Sequence, residues 1–310
     1  MRGIRSTTNP IIAPNSNWWE NKAVFNAAAV EHDGKDHLLY RALGDDNVSR
    51  FGLVMSGDGF NFVRHTDMPA YECNDNDECE RFGCEDPRIT RIDDTYYITY
   101  VGASVYPAHY PRPPFTRGAP WRCRVGLLST KDFRTYKKHG IMLPDQDNKD
   151  VVVFPEKIRG RYAMMHRAFP DMWMAYSDNL IDWVDHKPFM SARSGYWDSD
   201  RIGAGTPPVK TERGWLEFYH GVDDDRRYHL GAVLLDFDDP SKVIARSCRP
   251  FLSPEEEYER VGIVPNVVFS CGLVERDDSY IIYYGCADKV MGAYTLYKEG
   301  LFDSPDFEWL

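Results

Sequence analysis

Asp93-Asp94-Thr95-Tyr96-Tyr97-Ile98-Thr99-Tyr100-Val101 is an acidic turn followed by a run of aromatic and β-branched residues. Such a run reads as a strand entered from a tight turn. The same order recurs along the chain. Asp33-Gly34-Lys35-Asp36 leads into His37-Leu38-Leu39-Tyr40-Arg41, and Arg159-Gly160-Arg161 leads into Tyr162-Ala163-Met164-Met165-His166. Glu212-Arg213-Gly214 leads into Trp215-Leu216-Glu217-Phe218-Tyr219-His220, and Asp277-Asp278 into Tyr280-Ile281-Ile282-Tyr283-Tyr284. The steps between these turns are near 60, 66, 54 and 64 residues. Most units add a second signature, a Ser/Asp-rich turn ending on an aromatic: Ser56-Gly57-Asp58-Gly59-Phe60, Ser129-Thr130-Lys131-Asp132-Phe133 and Ser177-Asp178-Asn179-Leu180-Ile181-Asp182-Trp183. Five similar units, each long enough for about four short strands, predict an all-β fold, a five-bladed β-propeller. A sandwich would not divide into five equal parts.

The remaining composition agrees. Of 310 residues, 43% are hydrophobic, 14% aromatic and 27% charged, which is a globular balance. Helical periodicity is scarce. One short helix is expected at Ser253-Pro254-Glu255-Glu256-Glu257-Tyr258-Glu259, with Ser253 as its cap. No linker or low-complexity segment interrupts the pattern, so residues 1–310 read as a single propeller domain. Tyr106 to Pro120 carries five prolines and reads as a long loop in the second blade. A net charge of −11 argues against nucleic acid or an anionic membrane as the partner. No window approaches 18 apolar residues, and the start Met1-Arg2-Gly3-Ile4-Arg5 lacks a signal-peptide core. Cysteine is odd in number, seven in all, and Cys73, Cys79 and Cys84 lack zinc-knuckle spacing. Asp75-Asn76-Asp77-Glu78 lacks the glycine and spacing of an EF-hand. These features predict a cytoplasmic chain with reduced thiols and no metal.

In a propeller the first strand of each blade lines a central channel, where small-molecule sites form. Three constellations fall near such strands. The first is Gly83-Cys84-Glu85-Asp86-Pro87-Arg88. Proline holds Asp86 extended, and strand alternation then sends Glu85 and Asp86 to opposite faces. Taken alone, the dipeptide also suits a surface turn. The second is a set of basic groups at strand edges: Lys149, Arg167, Arg201 and His220. Cations brought together in an acidic protein are costly unless they face an anion, and Arg and Lys suit phosphate. Each alone also reads as ordinary surface charge, and His220 as a core histidine. The third comprises Asn26, Arg41, Asn266 and Asp288, polar residues beside apolar runs. They need partners, which a sugar or a neighbouring blade would supply. Asp223-Asp224-Asp225-Arg226-Arg227 reads as a solvated turn.

Together these motifs resemble glycoside hydrolase family 130, the β-mannoside phosphorylases and related inverting β-mannosidases. The likeness includes Asn9-Pro10-Ile11-Ile12, Val24-Phe25-Asn26, Glu85-Asp86-Pro87-Arg88, Phe154-Pro155-Glu156-Lys157-Ile158, Met165-His166-Arg167, Tyr219-His220-Gly221, Pro265-Asn266-Val267-Val268-Phe269 and Tyr283-Tyr284-Gly285. The resemblance implies a five-bladed propeller and names Asp86 as the general acid, acting through a mannose hydroxyl. It assigns mannose binding to Asn26, Arg41, Glu85, Arg88 and Asp288. It assigns phosphate binding to Lys149, Arg167, Arg201 and His220. Lys149 and Arg201 exchange Lys and Arg relative to many members, and Asp150 stands where Asn is common.

The implied reaction is inverting phosphorolysis. A β-mannosyl oligosaccharide, β-1,2 favoured over β-1,4, would give α-mannose 1-phosphate and a shortened sugar. No metal or organic cofactor is implied; inorganic phosphate is the co-substrate. Homo-oligomers are common among relatives. An inverting hydrolase needs a second carboxylate as base, whereas phosphate is its own nucleophile. An inverting β-mannosidase, with Glu85 or Glu217 as base, and a non-catalytic sugar-binding propeller are the alternatives.

Overall fold

The computed structural model describes residues 1–73, 78–106, 121–144 and 146–310. The proline-rich stretch 107–120, and residues 74–77 of the acidic loop, lie outside the described residues. A short first strand, β1 (Gly3–Arg5), precedes the first blade, which is β2 (Ala23–His32), β3 (Lys35–Leu43), β4 (Ser49–Ser56) and β5 (Val63–Arg64). The second is β6 (Cys84–Ile92), β7 (Thr95–Val105), β8 (Trp121–Thr130) and β9 (Lys137–Ile141). The third is β10 (Lys149–Val153), β11 (Tyr162–Ala168), β12 (Asp171–Ser177) and β13 (Val184–Met190). The fourth holds β14 (Arg201–Ala204), β15 (Val209–Lys210), β16 (Trp215–Val222), β17 (Tyr228–Leu235) and β18 (Val243–Ser247). The only described helix, α1 (Glu257–Arg260), comes before the fifth blade, β19 (Val268–Glu275), β20 (Ser279–Cys286) and β21 (Val290–Tyr297). β1 pairs with β21 and completes that blade, while β22 (Phe307–Trp309) pairs with β18 on the fourth. The predicted five-bladed β-propeller is therefore the fold.

The recurring aromatic runs are the second strand of each blade: β3, β7, β11, β16 and β20. Such a strand is paired on both edges and covered on both faces, so β16 and β20 are buried at every residue. Tyr40, Tyr100, Tyr219 and Tyr284 share one position on these strands. They lie opposite Gly52, Gly126, Gly231 and Gly292 on the third strands. A Cβ at Gly52 or Gly126 would come within 2.2 Å of the tyrosine ring it faces. Each tyrosine hydroxyl donates to a buried carboxylate: Glu20 at 2.6 Å, Glu80 at 2.5 Å, Asp198 at 2.8 Å and Glu259 at 2.8 Å. Each carboxylate is paired in turn with Arg64, Lys138, Arg246 or Arg5. A buried ionised carboxylate is tolerable only with such partners. The third blade differs, with His166 facing Trp173 across the strands.

The Ser/Asp signature is the turn between third and fourth strands. Ser56 Oγ accepts from the Gly59 N–H at 3.0 Å, and Asp58 Oδ1 accepts from Phe60 and Asn61 at 2.9 and 2.8 Å. Thr130 with Asp132, and Ser177 with Asn179, repeat the arrangement. The side chains satisfy backbone donors that the turn leaves unpaired.

The helix is shorter than expected. α1 begins at Glu257, with Glu256 at its cap. Ser253 Oγ instead meets His229 Nδ1 at 2.9 Å. The Glu259 carboxylate takes over the cap, accepting from the Glu255 and Glu256 N–H groups at 2.8 and 3.0 Å while Arg5 Nε holds it at 2.8 Å. Tertiary pairing has overridden the local serine signal. No helix of the described residues is long and apolar enough to cross a membrane.

Candidate active site

Three first strands share an irregularity that builds the site. Pairing slips between Phe25 and Ala28 on β2, between Glu85 and Arg88 on β6, and between Lys149 and Val152 on β10. In each slip sits a residue with left-handed backbone: Asn26 (φ 51), Asp86 (φ 49) and Asp150 (φ 57). Asn and Asp adopt this conformation more readily than other residues with a Cβ. Successive blades thus bring one structural position to the same end of the channel.

The bulge changes the prediction for Glu85 and Asp86. Alternation should have sent them to opposite faces, but the extra residue rotates the strand. Both carboxylates therefore reach Arg41: Nη2 lies 2.7 Å from Glu85 Oε1, and Nη1 lies 3.3 Å from Asp86 Oδ1. Asn26 Nδ2 donates to the same Asp86 oxygen at 2.8 Å.

A cavity of about 980 Å³ opens above these bulges. Arg41, Glu85, Lys149, Arg167, Arg201 and Asp288 lie on its wall, so all five blades contribute. Phe25, Phe82, Trp121, Phe169, Tyr228, Ile263 and Val264 supply its apolar surface. Asn26, Asp86, Arg88 and His220 are buried and not among the wall residues. Arg88 donates to the carbonyls of Asp86, Ala204 and Gly205 at 3.1, 3.0 and 3.0 Å, and to Asp150 Oδ1 at 3.0 Å. It braces the bulge at Asp86 and joins the second blade to the third and fourth.

Arg41 is not the only wall cation with a partner. Lys149 Nζ is 3.2 Å from Glu85 Oε2, Arg167 Nη1 is 2.9 Å from Asp150 Oδ2, and Arg201 pairs with Asp200. Arg201 Nη2 also donates to the Tyr228 hydroxyl at 2.6 Å. Basic groups can crowd together here because the protein interleaves them with its own carboxylates.

Protonation follows from these neighbours. Burial would raise the Asp86 carboxyl, but Arg41, Lys149, the Asn26 hydrogen bond and Arg88 outweigh it and hold it below the usual aspartate value. Burial pushes Asp288 up to about 6, helped by Asp86 and Glu85 against Arg41 and Lys149. Burial pushes His220 down to about 3; Arg167, Arg88 and Arg201 add to this, although Asp150 lies 3.7 Å away. His220 is thus an uncharged imidazole, where the sequence suggested one of four positive groups. Glu217, buried on β16, is pushed up to about 8 by burial, and its Oε1 accepts from the Gly205 N–H at 2.8 Å. It is absent from the cavity wall.

Sequence reasoning missed two contributors. Tyr228 lies on the wall beside Arg201, and Arg226, read as part of a solvated turn, is there too. Asp150 ties Arg88 to Arg167 rather than merely replacing a neutral residue.

The profile of glycoside hydrolase family 130, described as beta-1,4-mannooligosaccharide phosphorylase, matches residues 5–305. This chain belongs to that family. Among family 130 proteins, a 1,2-beta-oligomannan phosphorylase of Thermoanaerobacter sp. (strain X514) is 43% identical, over 94% of this chain and 96% of the relative. A beta-1,2-mannobiose phosphorylase of the same strain is also 43% identical, over 96% and 98%. The family 130 beta-1,2-mannobiose phosphorylase of Listeria innocua, solved with beta-1,2-mannobiose, has a TM-score of 0.85 at 29% identity, covering 98% of this chain and 99% of that one.

Proposed function

We propose that the chain is an inverting β-mannoside phosphorylase, with the 1–310 propeller as one catalytic domain and β-1,2-linked mannosides as preferred substrates. The observation that carries the reading is the presence of Lys149, Arg167 and Arg201 on one cavity wall above the Asp86 network. Two relatives at 43% identity act by name on β-1,2-linked mannosides, which favours that linkage over β-1,4.

In this reading Arg41, Glu85 and Asp288 hold the terminal mannose while Asn26 fixes Asp86 beneath it, and Lys149, Arg167, Arg201 and Tyr228 hold phosphate. A phosphate oxygen attacks the anomeric carbon from the face opposite the glycosidic bond. The bond's electrons pass to the leaving oxygen, which takes the Asp86 proton through a mannose hydroxyl. The products are α-mannose 1-phosphate and a sugar one unit shorter. Asp86 rests ionised, so it must first take up a proton from solvent, and the proton that phosphate loses on forming the ester balances the one passed to the leaving oxygen. Phosphate adds negative charge beside Lys149, offsets the cations that hold Asp86 down, and makes it a better proton carrier. His220 and Arg88 act from below, as packing and bracing groups.

Of the two candidate bases for hydrolysis, Glu217 has no solvent exposure and is tied to the Gly205 N–H, whereas Asp86 touches Arg41 on the wall. Glu85 is on the wall, but both its oxygens are held by Arg41 and Lys149, which disfavours it as a base for water. Cys73, Cys84, Cys123, Cys248, Cys271 and Cys286 are free thiols, which supports a reducing, cytoplasmic setting. The decisive test incubates the protein with β-1,2-mannobiose with and without inorganic phosphate. Mannose 1-phosphate should form only with phosphate present. Free mannose released at the same rate in its absence would overturn the reading. Asp86→Asn should lower kcat by about 10²–10⁴ while leaving mannobiose affinity nearly intact; undiminished turnover would remove Asp86 from the role.

A further inference from the structure

Glu85 stands between the two halves of the site. Its side chain is 14% exposed, and each oxygen has its own cation: Arg41 at 2.7 Å on the sugar side and Lys149 at 3.2 Å on the phosphate side. Arg41 has further contacts with Ser49 and Asp86. Lys149 is the more accessible cation of the two, at 30% side-chain exposure, and the Glu85 carboxylate is its ion-pair partner. An incoming phosphate must share that ammonium with a carboxylate or take it over.

We propose that Glu85 is a resident anion that competes with phosphate for Lys149 and yields when a mannoside engages it. This rests on the phosphorylase reading and adds a positioning role to it. When sugar hydroxyls donate to Glu85 and displace its contact with Lys149, the ammonium turns to phosphate. Phosphate affinity is thereby tied to occupancy of the sugar side. The exchange is electrostatic: one carboxylate contact is released for each phosphate contact made, and no covalent bond changes.

Calorimetric titration of inorganic phosphate into the wild-type protein, Glu85→Gln, Lys149→Ala and the double variant tests this. Glu85→Gln should bind phosphate about tenfold more tightly than wild type, the scale of one charge-assisted hydrogen bond. That gain should vanish in the Lys149→Ala background, an outcome that a merely structural role for Glu85 would not produce. In the wild type alone, saturating D-mannose should tighten phosphate binding, and in Glu85→Gln it should not. The wild-type arm keeps the test valid should a variant fail to fold.

Equal or weaker phosphate binding by Glu85→Gln, a gain that persists without Lys149, or wild-type phosphate affinity unmoved by saturating D-mannose would overturn the proposal. If wild type still makes mannose 1-phosphate in that event, only the role of Glu85 is lost. If wild type neither binds phosphate nor makes mannose 1-phosphate, the phosphorylase reading falls with it.

Discussion

Glu217→Gln separates a buried acid from a catalytic one. Glu217 has no solvent exposure, and its carboxyl is pushed from 4.5 up to about 8, chiefly by burial. Between those values the unfolded chain releases the proton and the folded chain keeps it. Proton linkage then makes stability fall as pH rises, by about 1.4 kcal/mol per pH unit. From pH 5 to pH 8 the wild type should lose about 4 kcal/mol through this one group. Glutamine keeps an oxygen for the Gly205 N–H and has no proton to lose. Urea unfolding of both proteins at pH 5, 6, 7 and 8 should therefore give a difference that moves steadily in favour of Glu217→Gln. The slope is the diagnostic quantity, because the second amide N–H adds a constant offset. Mannose 1-phosphate formation should persist in the variant. A difference that stays flat across that range would show that Glu217 is ionised in the fold, and loss of turnover would return it to the candidate bases.

Two further substitutions probe other parts of the structure. Arg167→Ala removes a wall cation that is 16% exposed, and should raise the KM for phosphate about 10- to 100-fold with the KM for mannobiose nearly unchanged; steady-state kinetics with an unaltered phosphate KM would refute its assignment. Gly126→Ala places a methyl group 2.2 Å from the Tyr100 ring and should lower stability by about 1–3 kcal/mol in urea unfolding; a change below about 0.5 kcal/mol, the usual effect of an uninvolved surface site, would show that the ring moves freely.

The fold was legible because the second strand of every blade carries a full aromatic or aliphatic signature after a short turn. Those runs depend on burial at both faces, which each blade imposes alike. The site was legible residue by residue but not as geometry. Asn26, Asp86 and Asp150 lie in equivalent bulges, yet a bulge depends on pairing between strands and leaves no periodic trace. Strict alternation therefore misplaced Glu85 against Asp86. The protonation of His220 was also invisible, because it depends on enclosure and on three arginines from other strands. Ser253 misled for a similar reason: Glu259, fixed by Arg5 from the far end of the chain, took its capping role.

The interleaved charges on the cavity wall have a kinetic corollary. A protein of net charge −11 repels a phosphate dianion at long range, and a wall on which Arg41, Lys149, Arg167 and Arg201 are each paired with a carboxylate projects little attraction to counter it. Capture then depends on contacts inside the first few ångströms. Raising the ionic strength should accelerate the encounter by shielding that repulsion, even as it weakens the grip once the anion has arrived.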